Sequence, residues 1–148
     1  MLSKNFLPLL RELADTFQAF GTYSAAHIRS LDLTPPQFDI IATLGNTAGM
    51  SAKELGEKTL ITKGTLTGVV DRLCDKGIVS RAASSSDGRA QLIKLTQQGD
   101  KLFAQIFPAH LAHLQPVFAQ LKSAEITALT AQLRTLRAAF DNAKNQLG

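Results

Sequence analysis

The sequence predicts a mainly α-helical protein with a small β-hairpin wing: a winged helix-turn-helix core flanked by N- and C-terminal dimerisation helices. Three observations predict it. Within residues 62–77, Leu66, Val69, Val70, Leu73 and Cys74 recur at i, i+3, i+4, i+7 and i+8, along one stripe of a helix. The opposite side shows Gly64, Gly68, Asp71, Arg72 and Asp75, flanked by Lys63, Thr65 and Thr67. Second, a short capped helix precedes this one, and a glycine and two β-rich segments follow it. Third, both ends of the chain carry apolar residues at alternating spacings of three and four.

At 148 residues, 45% hydrophobic and 19% charged, the composition suits one domain (1–148) with a real core and excludes disordered and collagen-like classes. The net charge of +4 and a pI near 9.5 permit binding to nucleic acid or an anionic surface without requiring it. No signal-peptide pattern opens the chain, and no stretch approaches the roughly 18 to 20 apolar residues of a membrane span, so a cytoplasmic protein without a membrane partner is expected. One cysteine allows no internal disulfide, in keeping with a reducing compartment.

In order, the first helix is predicted over residues 2–30, where Phe6, Leu10, Leu13, Phe17 and Phe20 form a heptad seam. The pattern alone serves equally for packing on the chain's own core or on a second subunit. Thr34-Pro35-Pro36-Gln37 restarts a helix, with Thr34 as N-cap and Gln37 completing a capping box, and Phe38, Ile41 and Leu44 point inward. Ser51-Ala52-Lys53-Glu54 is a second box, opening a short helix to about Lys58. Thr59-Leu60-Ile61 then turns into the helix of residues 62–77. Two glycines inside that helix each cost roughly 1 kcal/mol relative to alanine, so something should want the backbone bare there, as a groove of DNA would.

Gly77 is placed to end the helix, Ile78-Val79 and residues 91–95 read as two strands, and residues 83–89 form the polar tip between them. Thr96 caps a long helix that Pro108 and Pro116 should bend, break or offset. Ser123 and Glu125 start the last helix, in which Ile126, Leu129, Leu133, Leu136, Phe140, Ala143 and Leu147 sustain a second seam. Residues 1–30 and 97–148 thus supply dimerisation helices around a DNA-binding lobe at 34–96, and an isologous homodimer follows from two seams that one subunit struggles to cover.

This order of elements, with Asp87-Gly88-Arg89 at the hairpin tip, Leu95-Thr96-Gln97-Gln98-Gly99 after it, and Leu73, Gly77 and Ile78 leading in, resembles the MarR family of winged helix-turn-helix transcription regulators. The resemblance covers almost the whole chain. It implies a homodimeric regulator, a repressor, that places recognition helices in successive major grooves of a pseudo-palindromic duplex and wings in the minor groove. It also implies release of DNA by a small-molecule ligand, and work in the cytoplasm at the nucleoid.

The DNA-contacting residues expected are Ser51, Lys53, Thr62, Lys63, Thr65, Thr67, Gly68, Arg72, Asp87 and Arg89. Lys63, Thr65 and Thr67 lie toward base edges or adjacent phosphates and Arg72 toward the backbone. Many family members carry a larger polar side chain where Gly68 stands, which leaves more of the readout to DNA shape. Arg89 resembles the family's minor-groove arginine, with Asp87 as the acid that orients it; the alternative is a solvated charge pair.

The resemblance further implies a small aromatic or anionic effector, for which Tyr23, His27, Arg29 and Phe38 are lining by location. Cys74 at the edge of an apolar stripe reads as a buried thiol before a redox sensor. His110 and His113 can share a helix face that His27 approaches, yet no complete metal-ligand set is evident, so no metal or cofactor is expected. Nothing pairs a nucleophile with a base or cradles a phosphate, so the chain is read as a non-enzyme with no catalytic residues. The competing readings are a winged-helix protein-interaction module without specific DNA binding, and a metal or redox sensor on the same scaffold.

Overall fold

The computed structural model describes residues 3–83 and 91–148. The elements run α1 (Leu7–Ser30), α2 (Pro35–Leu44), α3 (Ala52–Lys58), α4 (Lys63–Asp75), β1 (Val79–Ala83), β2 (Gln91–Leu95), α5 (Gln97–Phe118) and α6 (Ser123–Gln146). They fall into two compact units, Met1–Leu111 and Ala112–Gly148.

In the first unit, α1 begins at Leu7 rather than at residue 2. Pro8 sets that start: it lacks an N–H and is tolerated in the first turn of a helix, whereas a helix from residue 2 would place it in the interior. The Thr34 box forms in full, Gln37 N–H donating to Thr34 Oγ1 at 3.3 Å and Thr34 N–H to Gln37 Oε1 at 3.1 Å. From that start α2 buries Phe38, Ile40, Ile41 and Leu44. With Leu55 of α3 and Val70 and Leu73 of α4, three of these are the largest fully buried side chains. Each such side chain contributes about 1.5–3 kcal/mol by leaving water.

The helix α4 ends in a Schellman motif. Ile78 N–H bonds the Leu73 carbonyl and Gly77 N–H the Cys74 carbonyl, both at 2.9 Å, with Gly77 at φ +74°. The chain then enters β1, which pairs antiparallel with β2 in the register Val79↔Leu95 through Ala83↔Gln91. Met50 adds a bridge on the far side of β2, exchanging two 2.9 Å backbone bonds with Ile93. Thr96 caps α5 by accepting from Gly99 N–H at 3.1 Å. Gly99 is required there, since a Cβ would stand 2.1 Å from the Ile78 carbonyl oxygen.

Pro108 does not break α5, which runs on from Gln97 to Phe118. The buried Ile106 and His110 bracket this proline and hold the helix to the core on both sides of the missing backbone bond. Pro116 falls in the helix's last turn, and no break occurs before it either.

The second unit comprises the end of α5, a turn and α6. Glu125 Oε1 accepts from Lys122 N–H at 3.0 Å and so starts α6. None of its residues is buried: Ile126, Leu129, Leu133 and Phe140 of the predicted seam all stand exposed. Among the described residues, no helix is long and apolar enough to cross a membrane.

Candidate nucleic-acid interface

The helix-turn-helix is assembled by polar bonds at the start of α3 and at the elbow that follows it. Ser51 Oγ accepts from Glu54 N–H at 3.1 Å and starts α3. The Glu54 carboxylate meets the Ser51 hydroxyl at 3.4 Å rather than the Ser51 amide, so only half of the predicted box forms. At the elbow, Thr59 donates its hydroxyl to the Leu55 carbonyl at 2.8 Å, and Leu60 N–H donates to Asp39 Oδ2 at 3.1 Å. That second bond fastens the turn to α2. Burial pushes the Asp39 carboxyl above its usual range, partly offset by hydrogen bonds from Leu60 N–H and the Thr43 side chain.

From the elbow α4 projects with two unlike faces. Leu66, Val69, Val70 and Leu73 are buried, as their spacing requires. Lys63, Gly64, Thr65, Thr67, Gly68, Asp71 and Arg72 are all exposed. Cβ atoms built at Gly64 and Gly68 meet nothing within 4 Å. Packing inside the chain therefore does not require glycine at either position, although glycine weakens the helix. Thr62 stands at the N-cap in extended conformation, but its hydroxyl donates to Thr65 Oγ1 at 3.0 Å instead of capping a backbone amide.

Ser51, Lys53 and Thr67, which lie apart in the sequence, share one groove of about 430 Å³ floored by Leu66, Val70 and Ile93. Arg81 and Gln91 of the hairpin complete its polar rim. Thr62 and Thr65 line a separate depression with Pro35, Asp39 and Leu60. Asp87 and Arg89 lie outside the described residues.

The sequence reading missed Arg81. Its Nη2 lies 2.7 Å from Asp71 Oδ1, and its Nη1 donates to Cys74 Sγ at 3.5 Å. The available signal was strand alternation, which puts Arg81 on the same side of β1 as the buried Val79. Asp71, one of the two acids on the outward face of α4, is thereby matched by a cation.

Of the four residues placed near an effector, His27 and Phe38 converge on one partner. His110 is buried, with Nδ1 2.9 Å from His27 Nδ1 and Nε2 2.9 Å from Ser24 Oγ; the Phe38 ring lies 4.6 Å from it, centroid to centroid. Two facing Nδ1 atoms need one bare nitrogen between them, so the two rings cannot both be imidazolium while the contact holds. Tyr23 and Arg29 are exposed on α1. Ser24, missed in the sequence, shares the face of His27 by its spacing of three.

A family model described as the MarR family matches residues 31–90. The chain is 27% identical over 133 residues to the transcriptional regulator MhqR of Bacillus subtilis (strain 168), covering 90% of this chain and 92% of that one. It is 31% identical over 92 residues to the transcriptional regulator HosA of Escherichia coli O157:H7, covering 62% of this chain and 68% of HosA. Among solved structures, NadR in complex with 4-hydroxyphenylacetate superposes with a TM-score of 0.74 at 25% identity, over 92% of this chain and 93% of that one.

Proposed function

Because this chain belongs to the MarR family of transcriptional regulators, we propose that it is a homodimeric repressor of an inverted-repeat operator, released from DNA by a small ligand. The observation that carries the reading is the outward face of α4, exposed along its length and bare at two positions where the fold has room for a side chain. A close-fitting external partner accounts for glycines that cost helix stability without serving packing. A duplex fits the surroundings: Lys53, Lys63, Arg72 and several hydroxyls are at hand for phosphates, and Arg81 pairs the acid Asp71. That pairing weakens the case for an acidic surface serving protein partners instead.

Within this reading Ser51, Lys53 and Thr67 hold the backbone beside the groove they line. Lys63, Thr65 and Gly68 approach the bases, Thr62 and Arg72 flank them, and Asp87 and Arg89 belong to the minor-groove wing. Residues 34–96 act as the reading lobe of one domain, and the exposed seams of α1 and α6 pair two copies. Recognition helices held about 34 to 36 Å apart then meet successive major grooves, which makes the operator an inverted repeat. The nucleoid is where such a protein works.

The effector is an aromatic or anionic small molecule near Tyr23, His27, Arg29 and Phe38. Support comes from the convergence of His27 and Phe38 on His110, and from the likeness to NadR, a structure solved with a small aromatic acid. We read the chain as a regulator and not an enzyme, in line with its relatives.

Selection of genomic fragments by the purified chain at moderate salt tests the proposal. The expected result is one enriched inverted repeat, bound with a steep inverse dependence on salt. Enrichment of no such repeat would overturn it.

A further inference from the structure

Two neighbouring parts of the DNA-binding lobe meet at one side chain. Arg81 leaves β1 beside the buried Val79 and reaches α4 with both arms of its guanidinium: Nη2 to Asp71 Oδ1 at 2.7 Å, and Nη1 to Cys74 Sγ at 3.5 Å. Asp71 and Cys74 are three apart, so the fork spans about one turn of the helix. At its other end Arg81 sits opposite Ile93, whose N–H and C=O are both bonded to Met50. The guanidinium therefore joins α4 to the part of the hairpin that Met50 brackets from the other side. The Arg81 side chain is 27% exposed and that of Asp71 55%. An ion pair this open adds little to the stability of the fold. An uncompensated carboxylate on the outward side of α4 also works against an anionic duplex.

From this geometry we propose that Arg81 is a positioning residue for DNA reading. Held by Asp71 and Cys74, it fixes the rotation of α4 against the hairpin and sets the angle at which the bare face of the helix meets the groove. The inference rests on α4 being the DNA-reading helix. It is distinct from a phosphate contact by Arg81 itself, and the two differ in sign. If Arg81 simply binds phosphate, releasing it from Asp71 and removing a negative charge strengthens DNA binding. If Arg81 positions α4, the same change weakens it.

The test measures affinity for the operator selected by the wild-type chain, across a range of salt concentrations, for Asp71→Asn, Arg81→Gln and the double variant. Thermal unfolding and circular dichroism serve as fold controls. The expected result is a loss on the order of tenfold in each single variant, no further loss in the double, and an unchanged slope of log affinity against log salt. Tighter binding by Asp71→Asn would overturn the proposal. So would additive losses, or a salt slope shallower by about one in Arg81→Gln, which marks a lost phosphate contact. A wild-type chain that prefers no DNA site would overturn the reading beneath the inference and the inference with it, whereas the other outcomes leave that reading standing.

Discussion

Gly64 and Gly68 set stability against function at single positions. Each lies within α4, and each has open space where a Cβ would stand. Substitution by alanine should therefore stabilise the folded chain by about 0.5–1 kcal/mol at Gly68 and by less at Gly64, the second residue of the helix, through the helix propensity that glycine forgoes. In the proposed complex the same methyl groups would stand between helix and duplex and should lower operator affinity, more so at Gly68, one turn into the helix. Thermal melts and binding isotherms on the same preparations check both halves; alanine variants that bind as tightly as wild type would remove the reason given for the bare face. The buried stripe Leu66, Val69, Val70 and Leu73 is legible in the sequence because helical spacing reports an amphipathic face directly. Arg81 is not, because its partners Asp71 and Cys74 are brought to it only by the Schellman turn at Gly77 that folds β1 back along α4. The His27 and His110 contact is half legible: helix spacing marks each face, but not that the two helices meet.

Caps decide how well whole elements can be read. The starts of α2 and α5 follow from Thr34 and Thr96, whose side chains bond the amides that sequence assigns to them. The start of α1 has no such signal, since Phe6 at its N-cap makes no side-chain bond and the limit is set by Pro8. Continuity of α5 through Pro108 is also hidden in the sequence, because it depends on long-range burial of Ile106 and His110. The elbow between α3 and α4 depends on Asp39, and this makes it sensitive to pH. Unfolded, Asp39 titrates near 3.8; folded, burial raises it. Between those two values the folded chain binds more protons than the unfolded one, so stability falls as pH rises through that window, and the penalty persists above it. Asp39→Asn keeps an oxygen to accept from Leu60 N–H and removes the titration. The stability difference, wild type minus variant, should therefore shift in favour of wild type as pH is lowered from neutral toward 3.8. Urea midpoints at several pH values measure it, and a flat difference would show that Asp39 is not penalised by burial.

At the scale of the whole molecule, each seam carries apolar residues that stand exposed. Phe17 of α1 is 57% exposed and Leu133 of α6 56%, and Phe6, Leu10, Phe20, Leu129 and Phe140 are similarly open. Exposed apolar residues in sustained three-four spacing on terminal helices are what an isologous interface buries. If these faces join two copies, the second recognition helix engages DNA at the high effective concentration set by the first, which raises affinity for the full operator by a factor on the order of 10² to 10⁴ over a half-site. A charge placed in either seam should remove that factor and leave the reading lobe intact. Phe17→Glu and Leu133→Glu are therefore each expected to sediment as monomers at micromolar concentration. They should bind the full inverted repeat at least about 100-fold more weakly, while binding an isolated half-site as wild type does. The half-site is the control that separates lost pairing from lost folding. Wild-type protein that sediments as a monomer, or seam variants that keep full operator affinity, would mean that these helices serve another purpose.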